Sequence, residues 1–145
     1  MQYQMNELHL TLPEVVQDRS VNVLLFGTKQ PPDFNLVISR EFLPKGEKFE
    51  YIVKKQLDVI AGSQKDFKLI GPERERTVAK EDGSTVGARE TTVTYKSNGT
   101  KFVQRHLYIP LGGPRILILT GTVTSAWESP DDAMWDKLAN SIRLK

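Results

Sequence analysis

The sequence of 145 residues contains no cysteine, only two histidines and no long hydrophobic run. Without cysteine there is no disulfide framework, no thiol nucleophile and no cysteine-based zinc site. The two histidines, His9 and His106, do not have a spacing that places two imidazoles on one metal ion. No apolar stretch approaches the roughly 20 residues needed to cross a bilayer, so we expect no direct membrane insertion.

Excess charge is also missing, because 20 lysines and arginines against 18 aspartates and glutamates give a formal net charge of +2. The basic residues are spread along the chain, so nucleic acid is not an expected partner. The N-terminal sequence shows no basic segment followed by an apolar one, which argues against a signal peptide and predicts a cytoplasmic location. The length fits a single domain over residues 1–145 with a substantial core.

The first half of the chain predicts three strands followed by a helix. Tyr3–Leu12 alternates and ends at a proline, whereas residues 20–27, SVNVLLFG, are apolar on both sides and predict a strand covered on both faces. Phe34–Glu41 predicts a third strand, with Phe34, Leu36 and Ile38 on one face and Asn35, Val37 and Ser39 on the other. Apolar residues then recur at helical spacing over residues 45–61, and Gly62 is a natural stop.

The second half predicts hairpin-connected strands and a closing helix. Phe67–Tyr95 reads as two charged strands joined through KEDGS, and Ser97-Asn98-Gly99 is a strong hairpin signal. KFVQRHLYIP and RILILTGTVT predict two more strands, and SPDD opens a helix. The order predicts an α+β fold with a largely antiparallel, twisted sheet of about six to seven strands and two main helices. Two helices of this length suit one face of such a sheet, which leaves the other face to be explained.

The sequence shows no constellation of catalytic groups. An enzyme would need a nucleophile with a base, a metal centre or a phosphate cradle. Gly112-Gly113-Pro114 predicts a turn, and the adjacent Asp131 and Asp132 are explained by the start of a helix. We interpret His106 as a hydrogen-bonded structural residue, since a histidine on a strand face of mixed polarity is more often partly buried and hydrogen-bonded than catalytic. We therefore expect no enzyme activity, no catalytic residue, no metal and no cofactor.

Polar residues on an otherwise apolar strand are the feature most in need of explanation. In KFVQRHLYIP, Gln104 and His106 alternate with Phe102 and Tyr108 on one face. A catalytic pair, a buried polar network and a groove for an apolar ligand would all have this pattern. The first strands add apolar and small polar residues, and the sheet face that the helices do not cover needs a partner, another subunit or solvent. A surface of this composition suits a helix that carries a few polar groups. A core in which a few polar groups are hydrogen-bonded explains the pattern equally well.

Three segments of the chain resemble a known family. MQYQMNELHLTLPEVVQDRSVNVLLFG, FNLVISREFLPKGEKFEYIVKKQLDVI and AWESPDDAMWDKLANSIRLK look like the effector-associated (Eag) chaperones of bacterial type VI secretion, a family with a PsbP-like fold. The resemblance runs over nearly the whole chain. It implies a small cytoplasmic, homodimeric chaperone that is not an enzyme, that shields the N-terminal transmembrane helices of a secreted effector, and that promotes loading of the effector onto the spike protein VgrG.

With this resemblance in view, we predict an effector-helix binding surface on the sheet. Its apolar wall would be Val23, Leu25 and Val37, and its polar partners would be Ser39, Gln56 and Gln104. Two alternatives stay open at this point. One is a small-ligand-binding protein or enzyme with a pocket near His106 and Tyr108, and the other is an adaptor that binds a folded partner through the charged strand Glu73–Arg76.

Overall fold

The protein is described here from a computed structural model, in which the described residues are 2–4, 9–11, 20–26, 34–124 and 129–145. These residues form ten strands and two helices. In chain order the elements are β1 (Gln2–Gln4), β2 (His9–Thr11), β3 (Asn22–Phe26), β4 (Phe34–Phe42), α1 (Phe49–Ser63), β5 (Lys65–Leu69), β6 (Arg74–Lys80), β7 (Thr85–Ser97), β8 (Thr100–Pro110), β9 (Arg115–Thr124), α2 (Ser129–Ser141) and β10 (Arg143–Leu144).

Eight of the strands form one sheet, in the order β10-β6-β7-β8-β9-β4-β3, with β5 paired to β7 as well. Every pairing in it is antiparallel except that of the two-residue strand β10 with β6. The strands β1 and β2 form a separate antiparallel pair. The predicted α+β class with a largely antiparallel sheet is therefore confirmed, with eight strands in the sheet where about six to seven were predicted.

The long strand β7 explains how eight strands fit into one sheet. Its first half pairs with β6 and its second half pairs with β5, while β8 pairs along its other edge from Arg89 to Ser97. The turn between β7 and β8 has Asn98 at φ 50° and Gly99 at φ 78°. Two consecutive positive φ values are the requirement of a type I′ turn, so the hairpin predicted from Asn-Gly is confirmed.

The two helices lie on opposite faces of the sheet. On the first, which we call the α2 face, Trp135 and Ala139 of α2 join a buried cluster of strand residues: Phe34, Leu36, Val78, Ala88, Val103, Leu107, Ile109, Leu119 and Val123. On the second, the α1 face, Ile52 and Val53 of α1 join Tyr108, Ile116 and Ile118. The expectation that both helices cover one face is therefore wrong, because each has its own apolar partners on the sheet.

Polar contacts fix α2 on its face. The indole N–H of Trp135 donates to the carboxylate of Glu90, which is buried, and Arg76 lies 3.2 Å from the same carboxylate. Arg76 also donates to Asp136 at 2.8 Å. One turn earlier in the helix, Asp132 accepts from Arg105. The helix is thus anchored by its apolar stripe and by side chains on three of the strands beneath it.

Strand β3 differs most from its predicted environment. Val23 and Leu25 on one face and Leu24 on the other are 58%, 57% and 47% exposed. The prediction of a strand covered on both faces is therefore wrong. The reason is topological, since β3 ends the strand order and is an edge of the sheet.

Three other boundaries also differ from the prediction. Within the predicted strand Tyr3–Leu12, the structure has β1 and β2 as antiparallel partners. Phe67–Tyr95 contains parts of three strands because the chain turns twice between β5 and β7. The first helix begins at Phe49 and continues past Gly62 to Ser63. The predicted alternation of β4 is confirmed, since Phe34 and Leu36 lie in the α2-face core.

Candidate functional site

The α1 face carries two rows of side chains that run across five strands each. Direct register partners on neighbouring strands share a face of the sheet, so the pairings place these residues side by side. The first row, from β3 to β7, is Val23, Val37, Thr120, His106 and Thr91. The second row is Leu25, Asn35, Thr122, Gln104 and Val93. We call these two rows the binding face.

The structure brings most of the predicted binding residues to this face. Val23 and Val37 are direct cross-strand neighbours, and Leu25 lies in the second row with Gln104. Ser39 belongs to the same face one row further along, opposite Ile118. The sixth residue, Gln56, is partly buried on α1, the helix that packs on this face.

Helix α1 covers only one part of its face. Its apolar residues bury Tyr108, Ile116 and Ile118, which lie beyond the two rows. Toward β3 the coverage decreases: Val37, Ser39, Thr120, Thr122 and Gln104 are partly buried, and Val23 and Leu25 are more than half exposed. The result is an apolar edge next to a strip of hydroxyl and amide groups.

A continuous chain of hydrogen bonds runs through the covered part of the face. The Oγ1 atom of Thr91 lies 3.4 Å from the Tyr108 hydroxyl and 3.3 Å from His106 Nδ1. His106 Nε2 is 3.1 Å from Gln104 Oε1, and Gln104 Nε2 donates to Thr122 Oγ1 at 3.1 Å. Five side chains on three strands are therefore linked in one network.

Burial sets the protonation states in this network. His106 is 4% exposed, and desolvation lowers the pKa of its imidazole from 6.5 to about 4. Burial likewise raises the pKa of Tyr108 to about 12. A neutral imidazole has one N–H, and since Gln104 presents its carbonyl oxygen, Nε2 is the donor and Nδ1 accepts from Thr91. All five side chains then form a chain of donors and acceptors running from Tyr108 to Thr122.

This geometry bears directly on the three interpretations of KFVQRHLYIP. His106 and Tyr108 are buried and hydrogen-bonded, as in a polar network of structural residues. An imidazole with a pKa of about 4 is a weak base near pH 7. Gln104 connects this network to the open strip, since it is only partly buried.

Asn35 is a functional candidate that the predicted set of binding residues omits. It lies between Leu25 and Thr122 in the second row. Its Oδ1 atom is buried and accepts no hydrogen bond within the described part of the protein. A buried acceptor without a donor is unfavourable by about 1–3 kcal/mol, so Asn35 stands out among the polar residues of the two rows. The signal was present in the sequence, because Asn35 alternates with Val37 and Ser39.

Two other kinds of site can be assessed in the same residues. Within the ranges described above, no group of three or more histidine, aspartate or glutamate side chains is arranged to hold a metal ion. In those ranges, too, neither helix has the length and apolar character of a membrane span.

Comparison with known proteins identifies the family and the fold. The DcrB family model matches residues 7–141, so the chain belongs to the DcrB family. No curated protein matches the sequence. Among solved structures, a protein of unknown function from Pseudomonas aeruginosa, described as a candidate regulator, is similar over 100% of this chain and 96% of its own, with a TM-score of 0.74 and 22% identity. At that identity the similarity establishes a shared fold.

Proposed function

We propose that the protein is a cytoplasmic, homodimeric chaperone that binds the N-terminal transmembrane helices of a type VI secretion effector on its binding face. It shields these helices before export and promotes loading of the effector onto the VgrG spike. The observation that carries the proposal is the exposed apolar pair Val23 and Leu25 beside a strip of partly buried polar groups on the same sheet face.

The chemistry of a transmembrane helix explains why such a surface is suitable. Outside the bilayer, its lipid-facing side chains need apolar contacts, and its occasional polar side chains need hydrogen-bond partners. Val23, Leu25 and Val37 offer the first. Gln104 is only partly buried, and its amide has a second hydrogen besides the one it donates to Thr122. A helix with a serine or threonine facing this strip would satisfy both requirements.

The experiment replaces the apolar pair and measures capture of a defined segment. The probe is a soluble reporter domain preceded by an effector's transmembrane segment of about 20 residues, co-expressed with the chaperone. We expect the wild-type protein to keep the probe in the supernatant without detergent. The double variant Val23→Asp/Leu25→Asp should lose the probe while its own circular dichroism and melting temperature are maintained.

A matched control has the same change of charge elsewhere on the surface. Val59 on α1 and Leu24, which lies on the opposite face of β3, are 56% and 47% exposed, so Val59→Asp/Leu24→Asp alters two comparable positions outside the binding face. This variant should retain the probe. Equal loss in both variants, or a wild-type protein that never holds the probe, would refute the proposed function.

The two alternatives have less support. A pocket at His106 and Tyr108 would need access to side chains that are 4% and 0% exposed and already hydrogen-bonded. On the charged strand, Arg76 contacts Glu90 and Asp136, so it already has partners within the chain. A His106→Ala protein that folds and still holds the probe would exclude a role for the imidazole in the proposed activity.

A further inference from the structure

Three lysines lie side by side on three neighbouring strands. Lys65 of β5 pairs with Lys96 of β7, which in turn pairs with Lys101 of β8. Neighbouring strands are about 4.8 Å apart, and like charges directly opposite one another destabilise a sheet. All three side chains are exposed. The fold therefore holds positive charges close together where a neutral residue would be more favourable.

Nearby charges compensate for this row only in part. Asp66 Oδ2 lies 3.7 Å from Lys96 Nζ, while a fourth lysine, Lys68, follows on β5 opposite Thr94. Four lysines and one aspartate leave three positive charges among the residues that line this area. That exceeds the formal net charge of +2 of the whole chain.

The lysines line two adjoining cavities at the turn between β7 and β8. These have volumes of about 400 and 520 Å³ and share Asp66 and Lys96 in their walls. Ile70 and Tyr95 add apolar surface to the second cavity. We call this concave area the lysine groove. None of its lining residues belongs to the two rows of the binding face.

Backbone conformation adds a second, independent observation. Asp66 has φ 54°, a left-handed conformation that is uncommon outside glycine, and it lies where the register of β5 shifts between Lys65 and Lys68. Aspartate adopts this conformation more readily than most residues, so the irregularity is a local adjustment of β5 that positions its side chains. Here it places a carboxylate and two lysines around one concave surface.

We propose that the lysine groove binds an acidic segment of a partner protein, with glutamate or aspartate side chains on the lysine row and one apolar side chain against Ile70 and Tyr95. A peptide is favoured over duplex nucleic acid, since the groove offers only four lysines and no arginine to contact phosphates and guanine bases. The apolar surface of Ile70 and Tyr95 would accept the apolar side chain of such a peptide. This surface is separate from the one in the proposed function and would recruit a second partner.

The test is fluorescence anisotropy of a labelled peptide in which three glutamates flank one leucine. We expect the wild-type protein to bind it with an affinity that falls as salt is added. The triple variant Lys65→Gln/Lys96→Gln/Lys101→Gln should weaken binding by at least about tenfold. It should also melt at a higher temperature at low salt, because the repulsion between the lysines is removed.

A control triple variant makes the same charge change at other exposed lysines, Lys45→Gln/Lys80→Gln/Lys137→Gln. It should bind the peptide within about twofold of wild type, since its changes lie outside the groove. The proposal is wrong if both triple variants weaken binding equally, if a glutamine version of the peptide binds as well, if the wild type does not bind, or if a thymidine oligonucleotide binds more tightly. The Val23→Asp/Leu25→Asp variant should still bind the peptide, which separates this result from failure of the proposed function.

Discussion

The two faces of the sheet show different ways of using a helix. On the α2 face, Trp135 lies fully buried against the strands, and the helix continues its contacts through Asp132 and Asp136 to arginines on β8 and β6. On the α1 face, an apolar stripe centred on Ile52 and Val53 covers a smaller cluster. The first face is closed over its centre, whereas the second is left open toward β3.

A carboxylate on the α2 face and an amide on the α1 face illustrate the contrast. On the α2 face, the Glu90 carboxylate has both Trp135 and Arg76 as partners. On the α1 face, the chain from Tyr108 to Thr122 is complete, but the neighbouring Asn35 Oδ1 is not satisfied within the described residues. A complete network stabilises the fold, while an incomplete one at the edge of an open surface is available to a ligand. This contrast supports the proposal that a partner binds on the open part of the α1 face and not on the α2 face.

The largest expected effect is on the closed face, in the variant Trp135→Ala. Truncating a buried tryptophan lowers the free energy of unfolding by about 3–5 kcal/mol, and here it also removes a donor from the buried Glu90. Urea denaturation measures the loss. Tyr51→Ala on α1 is the comparison, because Tyr51 is exposed and should change stability by less than about 1 kcal/mol. Similar effects of both changes would mean that the α2 face is not the stabilising one.

The second effect is a loss of stability at acid pH that arises from His106 on the α1 face. Because the pKa of His106 falls from 6.5 to about 4 on folding, the unfolded chain binds more protons between these values. Stability from this group is therefore complete above pH 6.5 and is lost as the pH falls toward 4, by a total of about 3 kcal/mol. The free energy of unfolding should be measured between pH 6.5 and 4 for wild type and for His106→Gln, and the difference between the two proteins should isolate this loss.

The only other histidine supplies the control for the pH experiment. His9→Gln should leave the acid sensitivity of the protein unchanged relative to wild type, if His106 is the group responsible. A His106→Gln protein that loses as much stability between pH 6.5 and 4 as wild type would show that the imidazole is protonated without disrupting the network.

The third effect tests the close packing beneath α2. A Cβ atom at Gly121 would lie 2.8 Å from Trp135 Cζ3 and 2.9 Å from Phe34 Cζ, so Gly121→Ala forces aromatic rings apart and should cost about 1–3 kcal/mol. Gly87 is also in a strand, but nothing lies within 4 Å of its Cβ position. Gly87→Ala should therefore be neutral or slightly stabilising in thermal melts. Equal destabilisation by both would point to strand backbone effects and not to packing.

The elements of this fold could be predicted where one local signal was strong. The Asn-Gly turn, the alternation of β4 and the start of α2 each depend on residues within a few positions of one another. The environment of β3 could not be predicted in this way. Its apolar residues predict a buried strand, and only the strand order makes it an edge. The same limit explains why both helices were assigned to one face.

The candidate site was predictable in part for the same reason. Alternation along β3 groups Val23 with Leu25, and alternation along β4 groups Val37 with Ser39, but only the strand order and register place these residues on the same face as Gln104. Thr120 and Thr122 were not singled out, since threonine is common in any strand and its role here depends on its neighbours across the sheet. The row of three lysines could not be predicted from the sequence either, because its members are up to 36 positions apart and become neighbours only through strand pairing.

The smallest expected effect defines the open edge of the binding face. Val23→Thr exchanges one methyl group for a hydroxyl at a position that is 58% exposed, so the free energy of unfolding should change by no more than about 0.5 kcal/mol. Val78→Thr makes the same exchange at a buried position of the α2 face, where the new hydroxyl should cost about 1–3 kcal/mol. Valine and threonine both favour strands, so the substitution changes strand propensity little at either position. Urea denaturation of the two variants therefore compares burial alone, and a large loss at Val23 would mean that the edge is covered and that a helix must bind elsewhere.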